Sequence, residues 1–256
     1  MERWSGRVAL VTGASSGIGA AIAEKLVKSG MKVFACARNI GKIEEMKKTL
    51  AKDTTCKGTL FPIRCDLTKE EDILSMFATI KETAGGVDVC VNNAGLGFAG
   101  DNLMNGKTDH WRTMLQTNVL AYAIVTREAI QSMKSRNVDD GHIVYINSDS
   151  GYYTLNDPTW HFYEGTKHAV TAQAEGLRRE LRLANTHIRV SQVSPGWVQT
   201  EFAKRAGGEE FHKQCLEAGN KPLQPDDIAD AVMYVVAAPP HVQVFNMLMY
   251  GTEESV

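Results

Sequence analysis

The feature that most restricts the fold is the run TGASSGIG at residues 12–19, placed directly after a short apolar run at Val8 to Val11. It also opens a helical pattern. A helix over Ile18 to Ser29 would gather Ile22, Leu26 and Val27 on one face, with Glu24, Lys25 and Lys28 off it and Gly30 as a stop. A glycine-rich turn between strand and helix lets a pyrophosphate approach the backbone closely, at the positive end of the helix dipole. An ordinary strand-to-helix turn is the plainer reading. The strand pattern that follows at Lys32 to Ala37 completes a βαβ unit and favours a dinucleotide site.

Further β-branched runs recur at Thr59 to Cys65, Val87 to Val91, His142 to Ile146 and Ile188 to Val193, with a weaker one at Val242 to Met249. Longer stretches with helical spacing lie between them. Strand alternating with helix implies parallel strands joined by right-handed crossovers, and uninterrupted apolar strands such as VDVCV imply burial on both faces. The expected architecture is therefore α/β: a single-domain Rossmann fold over residues 1–256, a doubly wound parallel sheet of about seven strands with helices on both faces. Near residues 200–224 the pattern weakens, with Gly207, Gly208 and Gly219 among charges, which suggests a mobile cover over a site.

Composition narrows the classes of function. A net charge of −2 over 256 residues supplies no basic field for nucleic acid or anionic lipid. The longest apolar run, Ala231 to Ala238, is less than half of a membrane span. Five cysteines, an odd number without CxxC spacing, suit reduced thiols, and no N-x-S/T acceptor occurs, so a cytoplasmic location is expected. The histidines show no HxxxH or HExxH spacing, and no metal site is expected.

The glycine spacing TGxxxGxG, from Gly13, Gly17 and Gly19, resembles the short-chain dehydrogenase/reductase family. The likeness continues in family order through NNAG at Asn92 to Gly95, Asn118, Ser148 in INSDSG, YEGTK at Tyr163 to Lys167, and SPG at Ser194 to Gly196. It covers nearly the whole chain. The resemblance implies cofactor contacts from Gly13, Ser15, Gly17, Ile18 and Gly19 at the turn, and from Arg38 and Asn39 beside the adenosine phosphate. It further implies Asp66 and Leu67 bordering adenine, Asn93, Ala94 and Gly95 toward nicotinamide, and Tyr163, Lys167, Pro195, Gly196, Val198 and Thr200.

The second strand pattern ends CARN, with Ala37 where NAD-preferring relatives carry Asp and with Arg38 next to it. A guanidinium grips phosphate, and the missing carboxylate removes both a ribose contact and a repelling charge, so NADP is expected over NAD. A solvated strand-end arginine is the plainer alternative.

Tyr163 and Lys167 are four apart and share one helix face. A free phenol has a pKa near 10, and a nearby ammonium together with an oxidised nicotinamide would bring it toward neutrality. The resemblance implies the roles: Tyr163 as general acid/base, Ser148 hydrogen-bonded to the substrate oxygen, and Lys167 on the nicotinamide ribose. It also implies that Asn118, through its side chain or a local kink, positions a water that links Lys167 to solvent. Ser150 competes with Ser148, but the S-x-x-G spacing favours Ser148. Alone, Tyr and Lys at this spacing are common on amphipathic helices, and His161 reads as a cap or surface residue.

Ser148, Tyr163, Tyr153 and Trp197 are the candidate substrate contacts, with Leu96, Tyr152, Leu155, Trp160 and Phe202 on nearby loops. Their size suits an apolar alcohol or ketone. MERW, CDLTKEEDILSMF, TREAIQSMKSRNVDDGHI and EGLRRELR resemble a subgroup acting on steroids, isoprenoid alcohols such as farnesol, and small reactive carbonyls. The segment GYYTLNDPTWHF departs most from that subgroup. Helices after Thr108 and His161 resemble the family's subunit-packing helices, implying a homodimer or homotetramer. A catalytically inactive NADP sensor or interaction protein is the alternative from another class.

Overall fold

Alternate residues of the first strand face opposite sides of the sheet, and this divides the core into two layers. The computed structural model describes residues 1–154, 157–217 and 221–254. In β1 (Val8–Thr12), Ala9 and Val11 pack toward α1 (Gly17–Lys28) and α8 (Pro225–Ala237), against Ile22, Leu26, Ile228, Val232 and Val235. Val8 and Leu10 face the other way. There they meet Ile73, Phe77 and Ile80 of α3 (Glu70–Ala84), Val125 and Ala129 of α5 (Ala121–Lys134), and Val170 and Ala174 of α6 (His161–Leu183). Burial on both faces explains why these strands are continuous apolar runs.

The remaining strands are β2 (Lys32–Ala37), β3 (Thr59–Arg64), β4 (Val89–Asn92), β5 (His142–Ile146), β6 (Arg189–Pro195) and β7 (Asn246–Met249). Among the described residues, seven parallel strands form one sheet in the order β3-β2-β1-β4-β5-β6-β7. The order reverses between β1 and β4. In such sheets, ligands bind in the crevice at the carboxyl ends of the strands flanking that reversal.

One expected boundary needs correcting in detail. β7 starts at Asn246 rather than Val242, because residues 243 and 244 meet β6 through side chains: Gln243 Oε1 accepts from Val190 N, and Ser191 Oγ donates to the Val244 carbonyl. Backbone pairing begins with Gln192 N donating to Phe245 O at 2.7 Å. The weakly patterned stretch near 200–224 contains a helix, α7 (Phe202–Glu217), broken at Gly208 where φ is +84°. α2 (Gly41–Leu50) and α4 (Thr108–Met114) complete the helices, and a π-helical segment, Leu115–Leu120, joins α4 to α5.

Candidate active site

The glycine turn is built to a tolerance that excludes side chains. Gly13 has φ +66° and Gly17 φ +57°, and a Cβ on Gly13 would stand 2.8 Å from the Ala94 Cα. A Cβ on Gly19 would collide with Asn93 Nδ2 and the Gly13 carbonyl. Thr12 locks this turn to the end of β4: its Oγ1 accepts from Asn93 N at 2.9 Å and from Ala94 N at 3.1 Å. Asn93 Nδ2 donates back to Thr12 O at 2.8 Å. The result is a bare backbone cradle at the amino end of α1, which fits a pyrophosphate.

At the ends of β2 and β3, Arg38, Arg64, Asp66, Lys69, Asp72 and Ser75 line a cleft of about 500 Å³. Burial works against ionising Asp66, but hydrogen bonds from Thr68 and the charges of Arg38 and Lys69 outweigh it and hold the carboxyl below its ordinary range. Asn39 spends its Oδ1 on Gly41 N at 3.0 Å, in the turn that leads into α2. Leu67 packs against the core beside this cleft. Three cations against two carboxylates leave this cleft positive, which fits a phosphate group.

Around β4, β5 and α6, the other candidates converge. Lys167 Nζ, nearly buried, donates to Ile146 O at 3.2 Å and Asn147 O at 3.3 Å, and lies 5.8 Å from the Tyr163 ring centroid. A Cβ on Gly95 would lie 3.7 Å from Asn118 Oδ1 and 3.9 Å from Lys167 Nζ. Asn118 sits in the π segment, where its Oδ1 accepts from Leu96 N at 3.0 Å and its Nδ2 donates to Leu96 O at 2.8 Å and Thr166 Oγ1 at 3.1 Å. The side chain fixes the loop after β4 from within the π-helical kink, so both expected means of positioning water, side chain and local kink, meet at this residue.

The electrostatics correct another expectation. Burial raises the Tyr163 phenol, the hydrogen bond with Ser148 lowers it by less, and the nearby Asp149 charge adds a smaller rise. Lys167 does not offset this, since its ammonium faces the ring and burial itself pushes it down to about 8. Without a bound nucleotide, these effects favour the protonated phenol. A bound oxidised nicotinamide would act in the opposite direction through its positive charge.

Trp160 forms an aromatic wall with Tyr163, Phe202 and Phe211 at centroid distances of 5.6, 6.1 and 5.8 Å, and Gly97 lies against it. Tyr153 is half exposed on the loop after β5. Tyr152 turns away, its hydroxyl donating to Asn246 Oδ1 at 2.9 Å on the edge strand. Leu155 lies outside the described residues. Ser150 is buried behind Ser148, donating its N–H to Ser148 Oγ.

Pro195 ends β6, and Gly196 to Thr200 lead from it toward the glycine turn, with Thr200 Cγ2 3.2 Å from a Cβ built on Gly17. Ile18 lies in the first turn of α1 against the core, and Ser15 lies within the turn itself. Charges continue the closure: Arg205 donates to Ser16 Oγ at 2.9 Å and pairs with Glu201 at 2.6 Å, and Glu201 pairs with Lys42 at 2.9 Å. Sequence reasoning missed Thr12, Phe211 and Glu254. Glu254 accepts from Trp197 N at 2.8 Å and packs against Gly196. Only Thr12 carried a usable signal, its place just before the first glycine.

A glycine cradle at the sheet's reversal point beside a clustered Ser, Tyr and Lys describes a nucleotide-dependent oxidoreductase of the Rossmann class. The short chain dehydrogenase profile matches residues 7–210, and the chain belongs to that family. It is 52% identical to the dehydrogenase/reductase SDR family member 11 of Homo sapiens, over 99% of this chain and 97% of that one. With the farnesol dehydrogenase of Aedes aegypti it shares 43% identity over 96% of each chain. Among solved structures it resembles the closed form of a serine dehydrogenase complexed with NADP+ (28% identical, TM-score 0.86, covering 97% and 96%). A Burkholderia phymatum short chain dehydrogenase/reductase in complex with NAD is similar too (27% identical, TM-score 0.84, covering 97% and 90%). The chain is an oxidoreductase of the kind that acts on alcohol and carbonyl groups.

Proposed function

We propose that the chain is an NADP-dependent dehydrogenase/reductase for an apolar alcohol or its carbonyl, of the isoprenoid alcohol, ketosteroid or reactive carbonyl type, with Tyr163 as general acid/base. The observation that carries the reading is the convergence of Tyr163, Ser148, Lys167 and Gly95 at the carboxyl end of the sheet, in one crevice with the glycine cradle. When bound, the nicotinamide supplies or accepts the hydride.

The residues govern the proton. In reduction, Tyr163 gives its phenolic proton to the carbonyl oxygen as that carbon gains the hydride; in oxidation, it takes the hydroxyl proton as the carbon loses it. Ser148 hydrogen-bonds the same oxygen. Lys167 holds the nicotinamide ribose, and the Asn118 segment positions a water behind it. Gly13, Ser15, Gly17, Ile18, Gly19, Asn93, Ala94, Pro195, Gly196, Val198 and Thr200 cradle the pyrophosphate and nicotinamide halves. Arg38, Asn39, Asp66 and Leu67 take the adenosine end. NADP rather than NAD is supported by the three cations of that cleft and by Ala37 at the strand end.

Tyr153, Trp197, Trp160 and Phe202 form the substrate wall, and their apolar bulk supports the substrate class. Homodimers or homotetramers are supported by Leu115 and Leu120, exposed between α4 and α5. Among the described residues no helix is long and apolar enough to cross a membrane. The five free cysteines support a cytoplasmic location.

The test is a turnover screen with NADPH and NADH against isoprenoid aldehydes, ketosteroids, diketones and quinones, and with the matching alcohols and oxidised coenzymes. NADPH is expected to bind more tightly than NADH, and Tyr163→Phe to keep coenzyme affinity while turnover drops by about 10²-fold or more. Near-normal turnover by that variant would reject Tyr163. No turnover by the unaltered chain on any pair would favour a coenzyme sensor instead.

A further inference from the structure

After β7 the chain turns back against the loop that leaves β6. Gly196 N donates to Met249 O at 2.7 Å where the two strands end side by side, and Glu254 N donates to Gly251 O at 3.0 Å to close a tight turn. The turn delivers the Glu254 carboxylate to the backbone of the β6 loop. Its Oε1 accepts from Trp197 N at 2.8 Å and its Oε2 from Gly251 N at 3.1 Å, so both oxygens are committed. A Cβ on Gly196 would stand 2.4 and 2.6 Å from those oxygens, and the carboxylate can lie this close only because residue 196 has no side chain.

The adjacent Glu253 holds a different segment. Its Oε2 accepts from Lys221 N at 3.1 Å, and a Cβ on Gly251 would stand 2.7 Å from Lys221 O. The two held segments also bond to each other, Leu223 N donating to Trp197 O at 3.1 Å and Gln199 N to Leu223 O at 2.8 Å. Consecutive glutamates thus fasten the arm that leaves β6, at Trp197, and the arm that leads into α8, at Lys221. Only the first of these arms runs past the glycine cradle, where Thr200 meets Gly17.

We propose that Glu254 is a positioning residue for the nicotinamide half of the coenzyme, fixing the Gly196–Trp197 backbone so that the arm from Pro195 to Thr200 is in place before the coenzyme binds. The inference rests on the reading of that arm as a coenzyme contact. A hydrogen bond from a backbone N–H to a carboxylate is charge-assisted and stronger than a neutral one. A loop fixed in advance loses less freedom on binding, which leaves more of the contact energy as affinity. Glu253, whose partner lies on the other arm, has no such part in binding.

The test compares dissociation constants, by fluorescence and calorimetric titration, for whole and half coenzyme. The whole coenzyme is whichever of NADPH and NADH the unaltered chain binds more tightly, and the half is its adenosine part alone, 2′,5′-ADP or 5′-AMP. Glu254→Ala removes both acceptors, Glu254→Gln keeps one oxygen for Trp197 N, and Glu253→Ala loosens only the arm at Lys221. Melting of each unliganded variant confirms folding. In Glu254→Ala, affinity for the whole coenzyme should fall by about tenfold, the size of one hydrogen bond to a charged group, while affinity for the adenosine half stays within about twofold. Glu254→Gln should recover to within about threefold of the unaltered chain. Glu253→Ala should leave both affinities within about twofold. The inference is overturned by equal losses for whole and half coenzyme in Glu254→Ala, by no loss in either, or by a Glu254→Gln or Glu253→Ala variant as impaired as Glu254→Ala. An unaltered chain that binds the whole coenzyme no more tightly than its adenosine half overturns the reading of the arm, and this inference with it.

Discussion

Lys167 is the residue on which burial acts most plainly. Its ammonium is removed from water with two backbone carbonyls as partners, and burial brings it from the ordinary 10.5 down to about 8. Between those values the unfolded chain holds a proton that the folded chain does not, so stability rises with pH across that window. Tyr163, Tyr122 and Tyr145 are shifted upward by burial, and they act in the opposite sense above the ordinary phenol value. The stability of the unaltered chain relative to Lys167→Met should therefore rise by roughly 2 kcal/mol between pH 7.5 and 9.5, on the order of one pKa unit per 1.4 kcal/mol. Urea unfolding at several pH values measures it, and a flat difference would refute it. At this scale the sequence was legible in identity but not in state. Tyr163, Ser148 and Lys167 were marked by the family's order of motifs, whereas the upward shift of Tyr163 comes chiefly from burial, of which the spacing holds no trace.

Among the elements, the helix running from α4 through the π segment to α5 has the clearest local logic. One extra residue per turn at Leu115–Leu120 brings Asn118 to the backbone of Leu96, where it makes two hydrogen bonds and a third to Thr166. Asn118→Ala removes all three and orphans buried backbone groups, at a cost of about 1–3 kcal/mol. The loop bearing Gly95 would loosen, so turnover should fall more than coenzyme affinity does. Denaturant midpoints and the KM for NADPH, measured together, would show it. The strands were readable because β1 and β4 are buried on both faces, and apolar runs announce that condition. α7 was not, because Gly207 and Gly208 break its pattern and its charges are spent on Glu201, Ser16 and its own turns.

Taken as a whole, the molecule is closed at its far end by Trp4. Its indole is fully buried between the Arg3 and Arg7 guanidinium groups, each 4.5 Å from the ring, and Nε1 donates to Val236 O at 2.9 Å. This ties the amino terminus to α8, on the side of the sheet opposite the crevice. Trp4→Ala should lower unfolding stability by about 3–5 kcal/mol without changing the KM of either substrate. A loss below about 1 kcal/mol would mean the contact is expendable. MERW was recognisable in the sequence as a likeness, but its physical role was not, since its partner Val236 in α8 lies more than two hundred residues away.

The glycine cradle has a consequence for biosynthesis. Its turn is complete by residue 19, yet the atoms that close around it belong to Asn93, Ala94, Thr200 and Arg205. A ribosome must therefore deliver some two hundred residues before the coenzyme site exists. Until then β1 lacks its β4 neighbour or the cradle lacks its cover, and a dinucleotide cannot serve as an early folding template for the nascent chain. A dinucleotide held by this cradle can therefore stabilise only the finished sheet, by binding the folded state and not the nascent one.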